Sequence, residues 1–323
     1  MSGPRIPFAP STRLPDGAFE ILSSAGRELR LFSACVEQIA TGLRWAEGPV
    51  WFGDGRYLLV SDIPNDRILR WDDCNGEVSV FRQPSGNANG HARDQQGRLV
   101  SCEHLGRRVT RTEHDGRIDV MANRFDGKPL NSPNDITVAT DGAVWFTDPD
   151  FGIGSDWEGL RATPEQPHGV YRIEPHSGEL QRVLDDLAGP NGLAFTPDGK
   201  RLLVVESRAQ PHRLIWSYAV DGATLNDKRL LIDAEGHGAF DGIALDTEGR
   251  IWCGFGSDGQ PSVDAALLDG VRVYSASGEP IAHVHLPERC ANLCFGGAKG
   301  NRLFMASSHS VYALYVNARG LVL

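Results

Sequence analysis

Residues 130–149 read LNSPNDITVATDGAVWFTDP. Asn134 opens an apolar run, Ile136 and Val138, that ends at Asp141-Gly142, and a second run, Val144-Trp145-Phe146, leads to Asp148. Apolar runs of β-branched and aromatic residues on either side of an Asp-Gly pair predict strand, tight turn, strand. The unit recurs in one register. Glu47 is followed eight residues later by Gly55, Asn89 by Gly97, Asn134 by Gly142, Asn191 by Gly199, Asp241 by Gly249 and Asn292 by Gly300. Each glycine leads into an apolar strand, such as Leu202 to Val205 or Leu303 to Met305. Successive units start 42, 45, 57, 50 and 51 residues apart, the period of a four-stranded blade. The repeat predicts an all-β fold, a six-bladed β-propeller.

The rest of the chain agrees with one closed unit. A propeller keeps 323 residues in a single domain. Asp66–Asp72, Gly106–Thr112, Gly169–Ile173, His212–Tyr218 and Gly270–Tyr274 read as the third strands of blades one to five, and long helical periodicity is absent. Residues 1–30, rich in proline, glycine and polar side chains, read as a loosely attached extension, with the propeller domain over 31–323. Within it, Arg30 to Ala40 supplies the strand expected to close the last blade. The net charge of −10, without a lysine or arginine run, argues against a nucleic-acid or anionic-membrane partner. The first residues, MSGPRIPFAPSTRLPDGAF, lack the apolar core of a signal peptide, so the expected compartment is the cytoplasm. Six scattered cysteines form no Cys-x-x-Cys pair and read as reduced. Monomer and homodimer both remain open.

The first strand of each blade lines the central channel, so Glu47, Asn89, Asn134, Asn191, Asp241 and Asn292 should meet there at one height. Burying a ring of carboxylates and amides costs several kcal/mol unless something binds it. A cation answers that cost. Two carboxylates with amide oxygens form a hard donor set that suits calcium or, less well, magnesium, whereas zinc prefers imidazole and thiolate. The plainer reading is turn chemistry, each side chain capping its own loop.

Four stretches carry a resemblance: AEGPVW at 46–51, SPNDI at 132–136, GPNGLAFTPDG at 189–199 and FDGIALD at 240–246. They resemble the senescence marker protein, gluconolactonase and luciferin-regenerating enzyme family, and from about residue 40 the chain most resembles its bacterial gluconolactonase branch. The resemblance implies a six-bladed propeller with one divalent metal ion in the central channel, calcium first, with magnesium, zinc or manganese as alternatives. Position by position it implies Glu47, Asn191 and Asp241 as metal ligands, and Asn134 as a ligand or a substrate contact. Animal members carry an arginine where this chain has Ser132, so a sugar contact there is not carried over intact.

Other candidates follow from placement. His91, two residues beyond Asn89, is the only ionisable residue in its register and should face the channel, where it could accept a proton or hold a substrate oxygen. Asn89, His91, Ser132, Asn134 and Phe151 form the expected substrate-binding set. Asp62, Glu103, Asp148 and Glu206 end the second strands and read mainly as structural, and Glu103-His104 as a further pair at the rim. The long connection Gly152–His168 reads as a lid or wall, with Phe151 and Trp157 at the pocket. No Gly-x-Ser-x-Gly elbow, His-Glu-x-x-His, phosphate loop or dinucleotide fingerprint is present.

Together these readings predict a calcium-dependent lactone hydrolase acting on a sugar lactone such as glucono-1,5-lactone. The metal would act as Lewis acid, with Asp241 or a metal-bound water delivering the attack. The alternatives are a phosphotriesterase-type hydrolase of the same fold, or a non-catalytic propeller with a structural metal.

Overall fold

The computed structural model describes residues 8–260 and 263–321. The hairpin expected at 130–149 forms: Ile136–Val138 pairs with Val144–Asp148, Ile136 opposite Phe146 and Val138 opposite Val144. Gly142 occupies its turn at φ 89°, which glycine adopts without steric cost. The same antiparallel unit, extended by a third and a fourth strand, builds six sheets. Their first strands touch one another in sequence and the sixth touches the first, so the ring of six blades is closed. A two-stranded ribbon, Arg124–Phe125 with Lys128–Pro129, lies between blades two and three.

Burial explains why the inner strands read as continuous apolar runs rather than alternating ones. Each blade is covered on both faces by its neighbours, so every residue of Val144–Asp148 is buried. On the outermost strand of blade one, Val78–Arg82, none is. Aromatic rings fill the seams. At the junction of blades six and one, Phe304 is fully buried, stacked 5.3 Å from Trp51 and lying 5.7 Å from Trp71. Burying a side chain of this size is worth about 1.5–3 kcal/mol.

The ring is closed by its own N-terminal segment. Glu37–Thr41 pairs with Ser310–Tyr315 and completes blade six, as the strand expected within residues 30–40 requires. Arg302 ties the seam through Glu37 at 2.6 Å and Asp73 at 3.0 Å. Residues 1–30 are less loose than their composition suggests. Phe19–Ile21 adds a fifth strand to blade five, Phe19 and Leu29 are buried, and the Asp16 carboxylate accepts the Val36 N–H at 2.9 Å. A few apolar anchors in a polar stretch dock it, which average composition hides; residues 1–7 lie outside the described residues.

The feature that shapes the channel is a bulge. In five of the six blades the pairing of first and second strands slips at the ring position, for example between Glu47 and Val50, Pro190 and Leu193, and Phe240 and Ile243. A bulge leaves an extra residue unpaired and re-aims its side chain. Glycine follows the ring residue in blades one, two, four and five. At Gly242 a Cβ would lie 2.3 Å from the Asn292 amide, so only glycine lets the neighbouring blade come this close. All six cysteines are free. Among the described residues no helix is long and apolar enough to cross a membrane.

Candidate active site at the mouth of the channel

All six ring residues are buried, but they are not equivalent. Asp241 accepts a hydrogen bond from the Asn191 amide at 2.7 Å and one from the Arg289 guanidinium at 3.3 Å. Glu47 accepts one from the Gly48 backbone N–H at 2.9 Å. Burial drives the Glu47 carboxyl well above its usual range, and the Asp241 charge adds to the push. Burial also raises Asp241, against the pull of Arg289 and Asn191. Asn134 is buried, and its side-chain amide has no hydrogen-bond partner among the described residues. Asn89 and Asn292 are committed elsewhere. Asn89 donates toward His104 Nε2 at 3.2 Å. The Asn292 oxygen accepts its neighbour's N–H at 2.8 Å, while its nitrogen faces Asp135 at 3.5 Å.

Asp135 is the site residue that sequence reasoning missed. It occupies the place after the ring residue, which is glycine in four other blades. That substitution was the available signal. Burial lifts its carboxyl to about 7, and its charge acts on Glu47.

His91 departs from expectation. Its Nε2 lies 2.8 Å from the Ser61 hydroxyl and its Nδ1 2.8 Å from the Ser101 hydroxyl, so neither nitrogen is left for a substrate. Burial lowers its pKa to about 3, which keeps it neutral. Its placement is the expected one, since Pro49, Ile136, Leu193, Ile243 and Cys294, which stand two beyond the other ring positions, line the same cavity as His91. This cavity, of about 730 Å³, is lined by the first strands of all six blades, includes Trp51 and Phe195, and reaches Asp135 and Asn292. No residue of the 150–168 connection borders that cavity.

Ser132 also differs. It is fully buried, donating to the Pro149 carbonyl at 2.7 Å and accepting the Gly152 N–H at 3.0 Å. These bonds tie Ser132 to the start of the long connection. Phe151 opens that connection at the rim, under the Arg208 guanidinium at 4.5 Å, and Asp150 pairs with the same arginine at 2.6 Å. The segment then crosses toward blades two and one. The Glu158 carbonyl lies 3.2 Å from His104 Nδ1, and the Trp157 ring faces Arg44 at 5.9 Å. The Glu158 carboxyl is lifted to about 7, first by burial and then by the Asp241 charge. The second-strand carboxylates are structural. Asp62 holds Arg67 and Asn65, Glu103 holds Arg82 and Arg108, and Glu206 caps the Ala188 N–H and the Trp216 indole.

Among the described residues no three histidine, cysteine or acidic side chains converge as a metal cluster. The donor set is two carboxylates with amides. Glu47 and Asp241 share a buried space with Arg289 as the nearest cation, and burial there favours protonation or a bound ion. The Asn191 amide, which now turns nitrogen to Asp241, has an oxygen to offer instead. A hard, oxygen-preferring cation fits these residues.

With this geometry in hand, likeness to known proteins carries weight. The family model described as the SMP-30/Gluconolactonase/LRE-like region matches residues 45–309. A gluconolactonase of Zymomonas mobilis is 31% identical over 304 residues, covering 86% of this chain and 80% of that protein. The pentonolactonase XacC of Haloferax volcanii is 27% identical over 285 residues, covering 84% of each. The solved structure of a gluconolactonase from Xanthomonas campestris has a TM-score of 0.83 and 34% identity, covering 98% of both chains. The matched region holds every ring residue and the whole propeller except the two outer strands of blade six and the strand added to blade five, and the chain therefore belongs to the SMP-30/gluconolactonase/LRE-like family.

Proposed function

We propose that this protein hydrolyses a sugar lactone such as glucono-1,5-lactone, at a divalent cation, calcium first, held by Glu47, Asn191, Asp241 and Asn134. The observation that carries the reading is the pair of buried carboxylates, Glu47 and Asp241, at the channel mouth beneath the 150–168 connection. Gluconolactonase and pentonolactonase relatives supply the substrate class.

The bound cation would supply positive charge that keeps both carboxylates ionised and opposes the charge developing on the lactone carbonyl oxygen. The remaining work belongs to side chains. Asp241 orients a water and accepts its proton as that water's oxygen adds to the lactone carbonyl carbon. The ring C–O bond then breaks, the ring oxygen takes up a proton, and an open-chain hydroxy acid leaves. Arg289 keeps the Asp241 carboxylate aimed. The unpartnered Asn134 amide is placed to hydrogen-bond a substrate oxygen, and Phe151 with the crossing segment limits water at the mouth.

The test is the initial rate of glucono-1,5-lactone hydrolysis by pH-stat, with the spontaneous rate subtracted, on chelator-treated protein before and after adding calcium. Activity should vanish with the chelator and return with the ion. Equal rates in both states would reject the cation's role, and no rate above the spontaneous one in either would reject the substrate.

A further inference from the structure

The ring nitrogens of His104 point in two directions at once. His104 directly follows the second strand of blade two, and its side chain is fully buried. Nδ1 lies 3.2 Å from the Glu158 backbone carbonyl of the crossing segment, and Nε2 lies 3.2 Å from the side-chain nitrogen of ring residue Asn89. The segment is shaped around this imidazole. A Cβ on Gly152 would fall 2.3 Å from His104 Cγ. A Cβ on Gly159 would fall 2.3 Å from the Gly152 carbonyl oxygen and 3.4 Å from His104 Cβ. The connection therefore folds back over the ring of His104 with no room for a side chain at either glycine.

We infer that His104 is a positioning residue that, through a single tautomer, holds segment 152–159 over the channel mouth and aims the Asn89 amide oxygen away from itself, toward a ligand hydroxyl. The inference rests on the lactonase reading for what that ligand is, but not for the geometry.

The proton assignment follows by elimination. A backbone carbonyl only accepts, so Nδ1 must carry the hydrogen. In a neutral ring Nε2 is then bare and can only accept, so the Asn89 amide must turn its N–H group toward it. The amide oxygen is left on the far side. On a neutral ring the reverse amide orientation would set two acceptors face to face; only a doubly protonated ring would satisfy it, and full burial disfavours that charge. Burial, which lowers the His104 pKa to about 4, agrees with a neutral ring. One imidazole thus links the segment above to the ring below. Glu158 hangs from the same peptide, its carboxyl oxygen 3.9 Å from Nδ1, so releasing the segment also withdraws that carboxyl from the mouth.

Two substitutions separate the halves of the clasp. In His104→Gln the side-chain oxygen reaches the Nε2 position and still accepts from Asn89, but no donor remains for the Glu158 carbonyl. In His104→Asn the side-chain nitrogen occupies the Nδ1 position and still donates to that carbonyl, but Asn89 loses its partner. Tryptic cleavage after the exposed Arg161, followed by mass spectrometry, reads the segment without reference to activity. His104→Gln should be cut about three- to tenfold faster than the parent, the loss of one net hydrogen bond, and His104→Asn within about twofold. With glucono-1,5-lactone, both variants should raise KM about three- to tenfold more than they lower kcat. A long-range proton–nitrogen NMR spectrum at pH 7 should show His104 with hydrogen on Nδ1, the signal being identified by its loss in His104→Gln. Hydrogen on Nε2, or parental cleavage rates in both variants, would overturn the inference. Absence of lactonase activity in the parent would reject the functional reading and leave the cleavage and NMR tests standing.

Discussion

Asp241 and Asn292 hold the same place in successive repeats, on adjacent blades of one ring, and they meet different fates. Asp241 faces Asn191 at 2.7 Å and shares its electrostatic field with Glu47. Asn292 spends its oxygen on its own strand, with its nitrogen toward Asp135. Asn89, in blade two, turns its amide nitrogen to His104. The ring therefore divides into four residues whose oxygens can be offered to an ion, Glu47, Asn134, Asn191 and Asp241, and two, Asn89 and Asn292 on either side of Glu47, whose amide nitrogens are engaged by neighbours. Repeat position sets the height of a side chain in the channel. Neighbours decide whether it is free to act.

The sharpest way to break this comparison is Asp241→Asn. Loss of a positioned base and of one ligand charge should lower kcat for glucono-1,5-lactone by about 10²–10⁴-fold, measured by pH-stat at saturating calcium. Full activity with retained calcium would end the distinction between the two sets of ring residues. A smaller effect separates Asn191→Ala from Asn292→Ala. Calorimetric titration of chelator-treated protein with calcium should show affinity weakened about tenfold or more in the first, roughly the worth of one hydrogen bond to a charged group, and within about twofold of the parent in the second. Equal losses would mean that Asn292 turns to the ion after all.

The smallest effect extends the comparison to the outer wall, where Asp148 is the contrast to Asp62 and Glu103. Those two grip arginines, whereas one Asp148 oxygen is buried without a partner. Burial accordingly raises the Asp148 pKa to about 7, despite the Asn131 N–H that its other oxygen accepts. The sign follows from linkage. The folded protein holds this proton more tightly than the unfolded chain, whose value is about 3.9. The stability gained is complete below that value and is lost as pH rises through 7. Asp148→Asn removes the titration, so its unfolding temperature relative to the parent should climb by a few degrees between pH 5 and pH 8. A constant or falling difference would show that Asp148 is ionised in the fold at both values.

Much of this was legible in the chain, and for identifiable reasons. The Ile136–Val138 and Val144–Asp148 hairpin, the six-fold recurrence and the closing strand near residue 40 depend on apolar patterning and turn residues only a few positions apart. So did the acidic ring positions and the lid-like connection after Phe151. The expectations for His91 and Ser132 did not allow for the polar neighbours that take up their side chains. Ser61 and Ser101 engage both ring nitrogens of the first, and the Pro149 carbonyl and the Gly152 N–H engage the hydroxyl of the second. Asp135 passed unnoticed because it stands where other blades place glycine, a difference that matters only once the blades converge.

The sequence by itself determined the number of blades, the strands within them and which six residues reach the channel, because period and turn chemistry are written in local patterns. Which of those six remain free was decided only by the tertiary structure. Asn191 meets Asp241 across 50 residues of chain, and Glu158 meets His104 across 54. A hydrogen bond between groups so distant in sequence exists only after the blades have closed into a ring and brought their inner edges together.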